Sequence, residues 1–497
     1  MVSKTKVGIA CAQAPWRYPV EQPFRPEEAY PELKGRVAVG REQNITYALF
    51  RRLLRDLGMD IGHFSTPDWN PFSEIIFPGQ KVLIKPNLVR HLHLGGGDYN
   101  AVVTHGSLVR CVLDYVALAL QGRGEIAVGD APVQSADFAL IVERMGLREI
   151  CRDVAEIWQI PVRLSDFRLW CVHLDESHRV VSGGALEGDT AGYCRVDLGK
   201  RSLLSPLGSQ SEKFRVTNYD PTEMGKHHNR STNEYLIPRT VLDADVIISL
   251  PKLKTHRKVG LTAALKNVVG INGHKDWLPH HRVGSLDEGG DEYLRASVLK
   301  RMQTQLAERI DRAPHSPVNR LGRLMDRVLG GLARSIAPDP FFEGSWYGND
   351  TLWRTALDLN RLLLYADRKG IMMDVPQRKC LTVVDAMVAG EGDGPMEPTP
   401  RSCGILAGGM NPVAVDAVLA TMIGFDFRKI PLIANGFNVK DWPLVGFGPQ
   451  KVRVCSRDSR WGSLRVGEAR QGLCFTPPSG WLGNVELPSW RPAQKCL

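Results

Sequence analysis

Residues 251–271 read PKLKTHRKVGLTAALKNVVGI, which sets Lys252, Lys254, His256, Arg257, Lys258 and Lys266 around a short apolar pattern. Ammonium groups attract carboxylates and phosphates, and imidazole exchanges protons near neutral pH. The mixture therefore suits holding an anion and moving a proton on it. Read as a helix from Gly260, the stretch turns Leu261, Leu265 and Val268 to one face and Thr262 and Lys266 to another, with Gly270 closing it. Lys254 and His256 would then lie in the loop entering that helix, where unpaired backbone N–H groups add to the pull on an anion. Lys85, in IKPNLV, ends an apolar run just before Pro86 and Asn87. A lysine buried there needs a carboxylate, a phosphate or a ligand, and Asp130 in VGDAP could serve as an internal partner. His105, in VVTHGSLV, either lines the same edge or caps the helix that follows it. The expected roles are catalysis for His256, Lys254 and Lys85, and substrate binding for Asn87, His105, Thr262, Lys266, Asn267 and Asp130.

A second set is acidic: Asp385 ends LTVVD, Glu391 and Asp393 stand in GEGDGP, and Asp416 follows in the next helical pattern. Such carboxylates could hold a divalent cation, magnesium before zinc because the ligands are oxygens, or act as counter-ions to the lysines. The histidines His91 and His93, His227 and His228, and His274, His280 and His281 come without HExxH or CxxC, weak grounds for a transition metal. Ten cysteines are scattered with neither zinc nor iron–sulfur spacing and read as reduced thiols. No GxGxxG, GxxxxGK[ST] or GxSxG occurs, so dinucleotide, P-loop and serine-hydrolase sites lack their local signatures.

The elements that must position these residues alternate. TKVGIACA, QKVLIKPNLV and GEIAVGDAP read as buried strands, and NITYALFRRLLRDLGMD, GSLVRCVLDYVALALQG and FALIVERMGLREICRD as helices. This is an α/β pattern of mostly parallel sheet layers with flanking helices, in which ligands sit at the carboxyl ends of strands. The first α/β part spans 1–170, a loop-rich insertion 171–240, and a second α/β part 241–284 and 371–449. A helical insertion fills 285–370, and a tail at 450–497 contains KVRVCS and GSLRVGE, both read as short strands. Within the insertion, Arg320, Arg323, Arg327 and Arg334 lie among leucines. The expectation is a helix packed on its own domain with the arginines outward; the alternative is docking on acidic lipid or nucleic acid.

A net charge of +9 over 497 residues is too thin for a nucleic-acid tail and fits an anionic small molecule, an acidic lipid surface or nothing specific. The apolar run near the N-terminus is too short for a signal peptide or a membrane span, so no integral membrane segment and a cytoplasmic location are expected.

VLIKPNLV, VGDAP, ADVIISLPKLKTH, GLTAALKNVVGI, VVDAMVAGEGDGP and NPVAVDAVLATMIGFD, in that order, resemble the bacterial and archaeal family called domain of unknown function 362. The resemblance covers roughly 1–275 and 375–440. It implies an α/β fold with Lys85, Asn87, Asp130, Lys254, His256, Lys266, Asn267, Asp385, Glu391 and Asp416 at the family's motif positions. Many relatives carry a ferredoxin-like cysteine segment and are labelled iron–sulfur proteins. That segment is missing here, so no integral iron–sulfur cluster is expected. The leading expectation is an enzyme on an anionic metabolite, with isomerase, lyase or group-transfer chemistry. The alternatives are a redox or cofactor-associated protein and a non-catalytic protein that docks through its basic helical insertion.

Overall fold

The computed structural model describes residues 3–174, 180–216, 221–312, 319–337, 339–468 and 472–491. Strands β1 (Lys6–Cys11), β2 (Lys81–Pro86), β3 (Glu125–Asp130) and β4 (Val162–Asp166) come first along the chain. Next come β5 (Trp170–Leu174), β6 (Val180–Ala185), β7 (Tyr193–Asp197), β8 (Phe214–Arg215) and β9 (Glu234–Pro238). The chain then adds β10 (Val246–Leu250), β11 (Lys252–His256), β12 (Gly260–Thr262), β13 (His281–Arg282), β14 (Lys379–Glu391), β15 (Thr399–Gly409) and β16 (Arg453–Cys455). One large sheet runs β16-β1-β15-β14-β10-β2-β3-β4, with β11 joined to β14 and β12 joined to β11. The pairs among β14, β10, β2, β3 and β4 are all parallel.

Alternation explains why the strands are apolar throughout. In β2, Val82 and Ile84 enter one core beneath helices Ile45–Asp56, Gly106–Leu120 and Leu147–Trp158. Leu83 enters the other core, with helices Leu352–Tyr365 and Pro412–Met422. A strand covered on both faces has no polar side to show. The fold is therefore α/β, with a mixed, mostly parallel sheet between helices.

The structure departs from the sequence reading in five places. FALIVERMGLREICRD forms two helices, Phe138–Arg144 and Leu147–Trp158, because Gly146 adopts a left-handed φ of +62° between them. GSLRVGE forms only an isolated bridge between Arg465 and Glu468. The antiparallel strand β15 was not anticipated; it fits between β1 and β14. Residues 260–262 form a strand, not the first turn of a helix. Helix Leu352–Tyr365, counted with the insertion on sequence grounds, is buried in the main core against residues 264–271.

The connections place the site. From β2 the chain moves outward to β3 and β4, then returns to lay β10 against the opposite edge of β2. The gap between β2 and β10 is thus a topological switch point, where loops leave in opposite directions and open a crevice beyond the carboxyl ends of the strands. Lys85 and Asn87 leave one side of that gap, and the β11–β12 hairpin leaves the other.

Candidate functional site

At the bottom of the crevice lies a closed polar unit. Lys85 Nζ donates to Asp130 Oδ1 at 2.8 Å, to Asn267 Oδ1 at 3.1 Å and to the Pro86 carbonyl at 3.1 Å. Asp130 Oδ2 accepts from the Leu88 N–H at 2.7 Å. Asn267 Nδ2 spans the switch point, donating to the Lys85 carbonyl at 3.2 Å and to Ser249 Oγ at 2.9 Å. Gly270 allows this packing, since a Cβ there would stand 2.0 Å from Asp130 Oδ1. Lys85 is thus placed as an ion-paired base of the site, its three donor positions filled, rather than as a group reaching into open space.

Above it opens a cavity of about 410 Å³ lined by Asn87, Asp130, Lys254, His256, Lys258, Thr262, Lys266, Asn267, Lys275 and His280, among others. β11 and β12 supply much of its wall: Lys254 and Thr262 are cross-strand partners, as are His256 and Gly260. Directly opposed residues share a face, so the hairpin, not a helix, brings Lys254 and Thr262 together. The helix that follows is only Ala264–Asn267, and Asp416 already accepts from its Ala264 and Leu265 N–H groups at 2.7 and 3.0 Å. The anticipated helix-terminus attraction is therefore spent on Asp416, and the positive charge on the cavity comes from side chains.

Those side chains repel one another. Burial, then the charges of Lys252 and Lys266, hold the Lys254 ammonium well below its ordinary range. Its one hydrogen bond among the described residues goes to the Val102 carbonyl. Burial, then Lys258 and Lys85, bring Lys266 down to about 8. Lys258 is likewise lowered to about 8 and Lys275 to about 7, burial again leading. Both carboxylates on the lining, Asp130 and Glu343, have partners in the protein.

The histidines are neutral and of opposite tautomers. His256 Nδ1 accepts the Lys258 N–H at 3.1 Å, so its proton is on Nε2. His280 Nδ1 lies 2.6 Å from the Leu278 carbonyl and must donate to it, which leaves Nε2 as a lone pair. Burial and the Lys266 charge depress both below the usual imidazole range. Asn87 Oδ1 and Thr262 Oγ1, buried on the same lining, have no hydrogen-bond partner among the described residues. An unsatisfied buried polar atom costs about 1–3 kcal/mol. Both atoms lie at the cavity wall, within reach of whatever enters it.

Other anticipated residues lie elsewhere. His105 caps helix Gly106–Leu120 through the Ser107 N–H, stacks on Tyr18 with ring centroids 4.0 Å apart, and does not line the cavity. The four carboxylates expected around a magnesium ion do not converge. Asp385 pairs with Lys252 at 2.7 Å and accepts from Tyr18; Glu391 pairs with Arg401 at 3.1 Å; Asp393 accepts from Ser479 at 2.9 Å; Asp416 caps the short helix. Among the described residues no three His, Cys, Asp or Glu side chains group as metal ligands. Lys275 and His280 were missed as cavity residues. The run GHKDWLPHH was weighed only for metal spacing, and its lysine was the available signal.

Comparison with known proteins places this arrangement. The family model described as "Domain of unknown function (DUF362)" matches residues 82–169 and 183–421, more than half of the chain. The chain belongs to the DUF362 family. Both strands flanking the switch point, the hairpin and the Asp416 cap fall inside the matched residues of this DUF362 protein. It is 24% identical over 232 residues to the thylakoid-associated protein sll1697 of Synechocystis sp. and spans about half that relative's length, 47% of each chain being covered. It also resembles a crystal structure of a Thermotoga maritima protein, at 11% identity and a TM-score of 0.31, over 75% of this chain and 59% of that one.

Proposed function

We propose that this protein is an enzyme that binds an anionic small molecule, a carboxylate or phosphate, and moves a proton on it. The observation that carries the reading is the gathering of Lys254, Lys258, Lys266 and Lys275 on one cavity whose carboxylates are already engaged. Mutually repelling ammonium groups are costly to assemble unless an anion meets them there. Lys254, whose ammonium burial and neighbouring lysines hold well below its ordinary range, and His280, whose Nε2 is left as a lone pair, are the candidate proton carriers. His256 Nε2–H, Asn87 and Thr262 would orient the substrate, and Lys266 would hold its charge. Part of the wall is apolar, with Val89, Val133, Val172, Leu174 and Val216, beside the polar Arg90, Ser135 and Arg257, so the pocket has room for an uncharged body as well as a charged head. Isomerisation, elimination and group transfer would each fit this combination.

The test is thermal stabilisation of the wild type and of Lys266→Met by inorganic phosphate, citrate and a panel of anionic metabolites, with chloride at matched ionic strength as reference. Stabilisation of the wild type and its loss in the variant are expected. Equal behaviour of phosphate, citrate, every metabolite and chloride would remove the proposal.

A further inference from the structure

The hairpin of helices Val298–Arg312 and Asn319–Ile336 presents a surface the cavity does not explain. A helix rich in leucine ordinarily turns its large apolar residues inward. The second helix does the reverse. Its small and polar positions face the protein: Ala333 is fully buried, and Asp326, also buried, accepts from Gln303 at 3.1 Å. Leu324, Met325, Val328, Leu332 and Ile336 are between 44% and 67% exposed. At about 100° per residue these five share an arc of roughly 120°, opposite the buried line. Gly322 lies against Ile310, and Gln303 meets Asp326, so the helices run antiparallel. Val298 and Met302, also exposed, therefore lie toward the Leu332–Ile336 end of the patch. Arg327 is exposed, as the sequence reading expected of the arginines, but the exposed face also carries the large apolar side chains.

The charge of the segment identifies what covers this face. Residues 319–336 carry arginines at 320, 323, 327 and 334 and a single acidic residue, the inward-facing Asp326. Spacings of three, four and seven follow the helical period. We propose that this hairpin docks flat on a bilayer surface containing anionic lipids, its apolar arc in the acyl boundary and its basic residues among the headgroups. It lies on the bilayer without spanning it, since no helix of the described residues is long and apolar enough to cross a membrane. A second copy of the chain would bring the same excess of arginine and set like charge against like. Nucleic acid would engage the arginines but leave the apolar arc in water.

The experiment is co-sedimentation of the full chain with phosphatidylcholine vesicles, with and without phosphatidylglycerol. Binding to the mixed vesicles at least about tenfold tighter than to phosphatidylcholine alone is expected, and it should weaken with salt. The double variant Val328→Glu with Leu332→Glu changes exposed positions only. It should lose vesicle binding while keeping the wild-type melting temperature. No binding, binding indifferent to phosphatidylglycerol, or binding unchanged in the double variant would overturn the proposal. So would a wild-type dimer in solution that the double variant abolishes, because the face would then belong to a second copy.

Discussion

Lys252 and Lys254 stand two residues apart in one strand, and their surroundings differ completely. Lys252 is buried against Asp385 at 2.7 Å and Tyr18 at 3.1 Å, with the Val388 carbonyl completing its shell. Lys254 has no acidic partner within hydrogen-bond reach among the described residues and faces the cavity beside Lys266. The register against β14 shifts between the two residues, so that Lys252 lies opposite Asp385 and Lys254 opposite Gly390, which has no side chain to offer. Lys85 belongs with Lys252 and Lys266 with Lys254. A lysine with its own carboxylate is part of the architecture; under the proposed function, one on the cavity with no carboxylate in hydrogen-bond reach is held for a ligand.

The comparison breaks most sharply on stability. Lys85→Met leaves Asp130 charged and buried without its partner, and removing one member of a buried pair costs about 3–5 kcal/mol. Gly270→Ala attacks the same pair from the other side by driving a Cβ into Asp130. Lys254→Met removes a repelled charge instead. Its denaturation midpoint should equal or exceed the wild type, while phosphate binding weakens about 10–100-fold, the worth of a hydrogen bond to a charged group. Denaturant titration with and without phosphate reads both effects. A Lys254→Met protein as damaged as Lys85→Met would erase the distinction.

Acidity sharpens it next. Burial brings Lys266 and Lys258 down to about 8 and Lys275 to about 7, against an ordinary 10.5. Between those values the unfolded chain holds more protons than the native one, so these lysines add stability as pH rises and withdraw it on acidification. An anion favours the charged forms, so its binding takes up protons and weakens as pH climbs from about 7 to 9. Titration calorimetry at pH 8 in buffers of different ionisation heat should show that uptake, and a smaller one in Lys266→Met.

Much of the fold was legible because it rests on local patterns. Apolar runs such as VLI and VIISL marked strands buried on both faces, and period-3.6 segments marked helices. KLKTHRKVGLT misled because its hairpin is set by pairing between residues eight apart, Lys254 with Thr262, which helical periodicity cannot see. The lysine-rich stretch was legible as a cluster of cations at strand ends, and three of its lysines do line one cavity, but which lysines were spent on internal partners was not legible. The sequence offers Asp130, 45 residues away, as one candidate partner of Lys85, without deciding between it and a ligand. Asp385, the partner of Lys252, lies more than a hundred residues away and reads from sequence only as a candidate metal ligand or counter-ion. The four carboxylates grouped by composition were separated by the fold in the same way, each taken by its own neighbour.

The smallest effect is the most discriminating. Thr262 Oγ1 is buried opposite Lys254 without a hydrogen-bond partner among the described residues. Valine has nearly the same shape without the hydroxyl, so Thr262→Val removes one desolvated oxygen and little else. If that oxygen is held for a ligand, the free protein should gain up to about 1 kcal/mol, while phosphate-induced stabilisation falls. The two changes have opposite signs in one pair of melting curves, which no general effect on folding reproduces. A free protein that instead loses stability would put Thr262 with Lys85 and Asp130, among the groups that hold the fold, and would narrow the ligand's contacts to the lysines and histidines.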